Sequence, residues 1–131
     1  MLDETDISAL GMRLDRMPDL QLALLFGSMA SGRAGSASDV DLALLCRHPL
    51  SSARRLSLVS ELSLLLDREI DLVDLHGVPE PISGEALRGR RLIDRDGAWV
   101  DLMNRHLVNV EDFLPLQQRL FAERRRRILG A

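Results

Sequence analysis

The chain has 131 residues, 46% of them hydrophobic and 28% charged, with a net charge of -3. This is one domain, 1–131, of ordinary soluble composition, and the acidic balance argues against a broad surface for nucleic acid. All 17 basic residues are arginine, which excludes lysine chemistry, and the single cysteine, Cys46, excludes an internal disulfide or a multi-cysteine zinc site. The N-terminal MLDETDIS is acidic and has no apolar core, so it does not read as a signal peptide, and no apolar run approaches the roughly 20 residues of a membrane span. A reducing, cytoplasmic setting fits.

Residues 5 to 17 read as an amphipathic helix with Ile7, Leu10 and Leu14 at helical spacing and Asp6 or Ser8 near its start. Pro18-Asp19 ends it. Leu20 to Phe26 is a short continuous apolar run, the pattern of a buried strand. Gly27 to Ser38 carries three glycines and four serines, which is loop chemistry around one helical turn. Val40 to Cys46 reads as a second strand. Ser51 or Ser52 caps a helix running to about Leu66, with Leu56, Val59, Leu62, Leu65 and Leu66 as its apolar face.

Glu69 to Leu75 is a third strand. Gly77, Pro79 and Pro81 make a loop, Ile82 to Leu87 a short helix, and Arg91 to Ile93 an edge strand. Asp96 is the expected cap of a C-terminal helix containing Trp99, Leu102, Leu107 and Val110. Pro115 separates that helix from a last one, with Arg124 to Arg127 on its solvent face. Helices alternating with strands give an α/β class, a small mixed sheet flanked by helices with further helices at the C-terminus.

The chemistry concentrates around the first two strands. Asp39 and Asp41 alternate with Val40, so on a strand both carboxylates share a face while Val40 enters the core. Two close carboxylates repel, and burying them unpartnered costs several kcal/mol. A divalent cation relieves that cost, and Mg²⁺ held by few carboxylates completes its shell with water and substrate phosphates. Gly27-Ser28, ten residues before Asp39, supplies the anion side: a strand-end glycine lets backbone N–H groups approach phosphate, and the serine adds a donor. In EIDLVDL, strand parity leaves Asp71 and Asp74 both open as a third carboxylate, serving as ligand or as general base for an attacking hydroxyl. The implied reaction is nucleotidyl transfer. His48, His76 and His106 have no zinc-like spacing and read as structural or surface residues.

Gly-Ser, ten residues, Asp-Val-Asp and a later IDLVDL strand resemble the minimal nucleotidyltransferases (MNT) of the DNA polymerase beta superfamily. GEALRGRRLIDRDG followed by helices is similar to their C-terminal half. The resemblance implies that Gly27 and Ser28 bind the nucleotide triphosphate, and that Asp39, Asp41 and Asp71 bind Mg²⁺ and carry catalysis with ATP as substrate. It further implies an antitoxin that transfers AMP to a tyrosine of a partner HEPN-domain ribonuclease toxin. The chain lacks the HEPN pattern of an arginine four to six residues ahead of a histidine, so it resembles the MNT half of such a pair. Ser31 stands where many relatives carry an arginine, and Arg33 is out of that register. The alternatives are an antitoxin acting by binding alone and, behind it, a small-molecule nucleotidyltransferase.

Overall fold

A computed structural model of the chain describes residues 2–27, 39–77 and 82–107. It divides into two units, Met1–Trp99 and Val100–Ala131. The elements of the first are α1 (Glu4–Asp15), β1 (Leu20–Phe26), β2 (Val40–Cys46), α2 (Ser52–Leu66), β3 (Ile70–Asp74), α3 (Ile82–Leu87) and β4 (Arg90–Asp94). A fourth helix, α4, starts at 98 and is described to 107. The expected helix around Leu116 to Ile128, with its arginine run, lies outside the described residues.

The four strands form one mixed sheet in the order β3-β2-β1-β4. β1 runs antiparallel to both β2 and β4, while β2 and β3 are parallel, joined by the crossover helix α2. The apolar runs at 20–26 and 40–46 become the two central strands, where every residue after the second is buried. Both faces of a central strand need cover, so such strands lack polar alternation.

One face carries the main core. Ala23 and Leu25 of β1 and Val40, Leu42, Leu44 and Cys46 of β2 pack with Leu10 and Leu14 of α1 and Leu58, Leu62 and Leu66 of α2. α1 begins one residue earlier than its periodicity suggests, because Asp3 and Asp6 form a reciprocal capping box with Asp3 as N-cap. α2 is capped by Ser51, whose hydroxyl accepts from the Arg54 N–H at 3.1 Å. Its buried stripe differs from the expected one: Leu58, Leu62 and Leu66 point inward with Val59 beside them, while Leu56 is 68% and Leu65 44% exposed. A helix this rich in leucine offers several i, i+4 stripes, and packing against α1 and β3 selects one.

Polar clamps close the edges of this unit. The Arg95 guanidinium donates to the carbonyls of Met17 (2.6 Å), Leu20 (2.8 Å) and Asp15 (2.7 Å), tying the end of α1 to the start of β1. Arg54 grips Asp19 with two bonds of 2.5 and 2.7 Å. The side-chain bond to the start of α4 comes from Asp94, which accepts from the Trp99 N–H at 3.1 Å. Asp96, the expected cap, instead takes a left-handed backbone with φ 56° in the turn before the helix.

Candidate active site

The sheet's second face holds the acidic residues. In register, Phe26 of β1 lies opposite Asp41 of β2, and Asp41 lies opposite Asp71 of β3. One row therefore runs Phe26–Asp41–Asp71, with all three side chains on one face. Leu25 and Val40, one residue out of step, belong to the core on the other face. Sequence parity left Asp71 and Asp74 equal; the parallel register separates them. Asp74 pairs with Leu44 at the far end of β3, about 10 Å along the strand. Its carboxylate is consumed there, accepting from the N–H groups of Leu50 (2.8 Å) and His76 (2.9 Å). His76 in turn bonds the Cys46 carbonyl at 2.7 Å, a structural role for that histidine.

Asp39 sits exposed just before β2 and Asp41 is partly buried. The Asp41 carboxyl is held above the usual aspartate range. Burial is the main cause, followed by the negative charge of Asp71, a side-chain hydrogen bond to Asp71, and the charges of Asp39 and Glu85.

Gly27 ends β1 with φ 71°, a left-handed backbone that favours glycine. A Cβ at this position would run into the Asp41 carboxylate. The glycine thus serves two needs at once: it turns the chain out of the strand and lets the backbone lie against the acid. Ser28, its expected partner in phosphate binding, lies outside the described residues, as do Ser31 and Arg33.

Glu85 escaped the reading of the sequence. It lies in α3, between Gly84 and the buried pair Ala86 and Leu87, and is itself exposed. α3 covers the β1 side of the acidic face. A Cβ at Gly89, just beyond it, would stand 2.8 Å from the Phe26 Cβ, and the Trp99 indole donates to the Leu87 carbonyl at 3.1 Å. The Arg91 guanidinium stacks 4.5 Å above the Trp99 ring. The available signal for Glu85 was faint: one long acidic side chain in an otherwise small and apolar helical turn.

The donor set fits a divalent cation. Asp41 and Asp71 lie in register, with Asp39 two residues before Asp41, and hard carboxylate oxygens of this kind are what Mg²⁺ takes. Among the described residues no three His, Cys, Asp or Glu side chains already converge on one ion position. Asp41 and Asp71 are the close pair, with Asp39 beside them.

Comparison with known proteins adds the lineage. Residues 10–98 match the family described as polymerase beta, nucleotidyltransferase. The chain belongs to this family. It is 32% identical over 111 residues to the protein adenylyltransferase MntA of Shewanella oneidensis, covering 84% of this chain and 75% of that protein. A solved toxin–antitoxin structure with AMP-PNP matches with a TM-score of 0.72 and 26% identity, covering 93% of this chain and 97% of that one. The fold also matches, with a TM-score of 0.67 and 22% identity, a complex of tri-AMPylated Shewanella oneidensis HEPN toxin with MNT antitoxin, covering 93% of this chain and 97% of that one. The four-stranded mixed sheet flanked by helices is the nucleotidyltransferase fold expected from the sequence. No helix among the described residues is long and apolar enough to cross a membrane.

Proposed function

We propose that this chain is a protein adenylyltransferase of the antitoxin type, moving AMP from ATP to a tyrosine hydroxyl of a partner HEPN toxin. The observation that carries the reading is the Asp41–Asp71 pair lying in one row beside the left-handed Gly27. The identity to a protein adenylyltransferase and the likeness to a toxin–antitoxin structure holding AMP-PNP support it.

In this reading Gly27 and Ser28 cradle the triphosphate through backbone N–H groups and a hydroxyl. Asp39, Asp41 and Asp71 are the residues that would hold Mg²⁺, which when bound neutralises the phosphate oxygens and the leaving pyrophosphate. Asp71 sits at the open edge of the acidic row and takes the proton from the acceptor hydroxyl as its oxygen attacks the α-phosphorus. The new bond joins that oxygen to phosphorus, and the bond to the bridging oxygen breaks as pyrophosphate departs. ATP and a free thiol both suit the cytoplasm, and 1–131 acts as one nucleotidyltransferase domain.

The test is co-expression with the toxin and mass spectrometry for added AMP on a tyrosine. Labelling with ATP and Mg²⁺ is expected for the wild type and absent for the variant carrying Asp39→Asn and Asp41→Asn. Labelling that persists in that variant sinks the reading. Ser31, in place of the arginine common in relatives, favours a second reading in which binding alone neutralises the toxin. Toxin neutralisation that survives the double substitution supports it.

A further inference from the structure

β3 is an outer strand of the sheet, and its backbone alternates between two sides. The Glu69 carbonyl accepts from the Val40 N–H at 2.8 Å and the Leu75 N–H donates to the Leu44 carbonyl at 2.9 Å, so the odd-numbered residues bond β2. Ile70, Leu72 and Asp74 therefore turn their N–H and C=O groups outward, and among the described residues no strand lies beyond them. One of these outward groups is taken. The Arg55 guanidinium, from the first turn of α2, donates to the Leu72 carbonyl. That turn is anchored at the end of β3: the Ser51 hydroxyl caps it, Arg54 is bonded to Asp19, and the Leu50 N–H meets the Asp74 carboxylate at 2.8 Å.

We propose that Arg55 guards this edge, keeping β3 closed to strand addition by a second copy of the chain. An unpaired strand edge is a template for another strand, and a charged side chain at the edge blunts it. The fitting partner is β3 itself. An antiparallel pair of β3 strands centred on Leu72 would set Leu72 opposite its own copy, each donating its N–H to the other's carbonyl. The Leu72 carbonyl is the acceptor that this pairing needs, and Arg55 holds it. The Arg55 cations of both copies would also meet near the two-fold axis and repel. The same pairing would place Val73 of the second copy opposite Asp71 at the strand spacing of roughly 4.8 Å, an apolar side chain beside a carboxylate of the acidic row. The guard thus leaves the Asp71 side of that row open.

The experiment is sedimentation velocity of the full chain over a range of concentrations, with amide hydrogen exchange to locate any contact. In the wild type the outward Leu72 amide should exchange faster than those of Asp71 and Val73, which bond β2. Arg55→Ala should strengthen self-association about 10- to 100-fold, since two guarding bonds are lost per pair, and should protect the Leu72 amide as concentration rises. Arg55→Gln, which keeps an N–H donor without the charge, should fall between. Arg54→Ala removes the same charge one residue earlier, together with the bonds to Asp19, and should associate no more than wild type. An Arg55→Ala protein that associates no more than wild type overturns the proposal. So does equal association in Arg54→Ala, where lost charge or lost stability would account for the effect. Association without protection of Leu72 places the contact elsewhere and overturns it as well.

Discussion

Gly27→Ala separates a backbone requirement from a requirement of the site. Three described glycines have positive φ: Gly27 at 71°, Gly77 at 75° and Gly97 at 71°. A Cβ at Gly77 or Gly97 meets nothing within 4 Å, whereas at Gly27 it meets the Asp41 carboxylate. Alanine in the left-handed region costs about 1–2 kcal/mol, so Gly77→Ala and Gly97→Ala should lose that amount and nothing more. At Gly27 the Asp41 side chain must also leave its rotamer, adding about 0.5–1.5 kcal/mol. The expected loss is about 1.5–3.5 kcal/mol, measured by urea unfolding. Activity should divide the variants more sharply, because a misplacement of about 1 Å at a reacting centre costs on the order of 100-fold. AMP transfer to the partner should therefore fall at least 100-fold in Gly27→Ala and less than three-fold in the two controls. If Gly27→Ala loses no more activity than Gly97→Ala, the contact between Gly27 and Asp41 is irrelevant to function and the reasoning fails.

Asp41→Asn should stabilise the metal-free protein at neutral pH. The Asp41 pKa is raised by burial and by Asp71, so the folded state binds its proton more tightly than the unfolded chain. Its contribution to stability therefore falls as pH rises above the ordinary aspartate range, and the variant's Tm advantage should be greatest near pH 7–8. Thermal melts from pH 4 to 8 check this: the advantage should shrink towards acid, and one independent of pH would contradict it. Arg95→Ala removes the donors to three backbone carbonyls and should cost about 2 kcal/mol in chemical denaturation, with Arg95→Lys recovering part. Leu62→Ala should cost about 3 kcal/mol because Leu62 is fully buried, while Leu56→Ala should stay within about 0.5 kcal/mol. Equal losses at the two positions would contradict the observed face of α2.

The strands were readable because a central strand buried on both faces leaves a nearly continuous apolar run, as in LQLALLF and VDLALLC, broken only at the second residue. The acidic row was readable in part because Gly27 and Asp41 are tied by a local, antiparallel connection. What local pattern could not supply was long-range register. Whether Asp71 or Asp74 faces Asp41 depends on how β3 docks beside β2 after the crossover, and both residues carry the same side chain. The same limit hid Glu85, whose relation to Asp41 exists only because α3 folds over β1. On α2 the surplus of leucines made the stripe ambiguous. At Asp96 two acids, Asp94 and Asp96, flank the same turn, and only the backbone decides which one reaches the helix.

The distribution of charge gives the acidic row its meaning. Three carboxylates have shifted pKa values among the described residues. Glu4 is lowered by Arg90, and Asp19 by Arg54 at the other end of β1. Both lie where an arginine can reach them, and the protein answers its own charge. Asp41 moves the other way, first because it is partly buried and then because its charged neighbours are Asp71, Asp39 and Glu85. Among the described residues the ion pairs that hold Glu4 and Asp19 have no counterpart at Asp41. A fold that pairs Glu4 and Asp19 with arginines yet gathers like charge at one strand end carries a local cost there, which a bound cation would relieve. The size of that cost also sets a limit on the site: each added carboxylate strengthens capture of the cation and weakens the protein without it. Metal-dependent stabilisation should then be larger than the gain from Asp41→Asn alone, because the ion answers the whole row while the substitution silences one member.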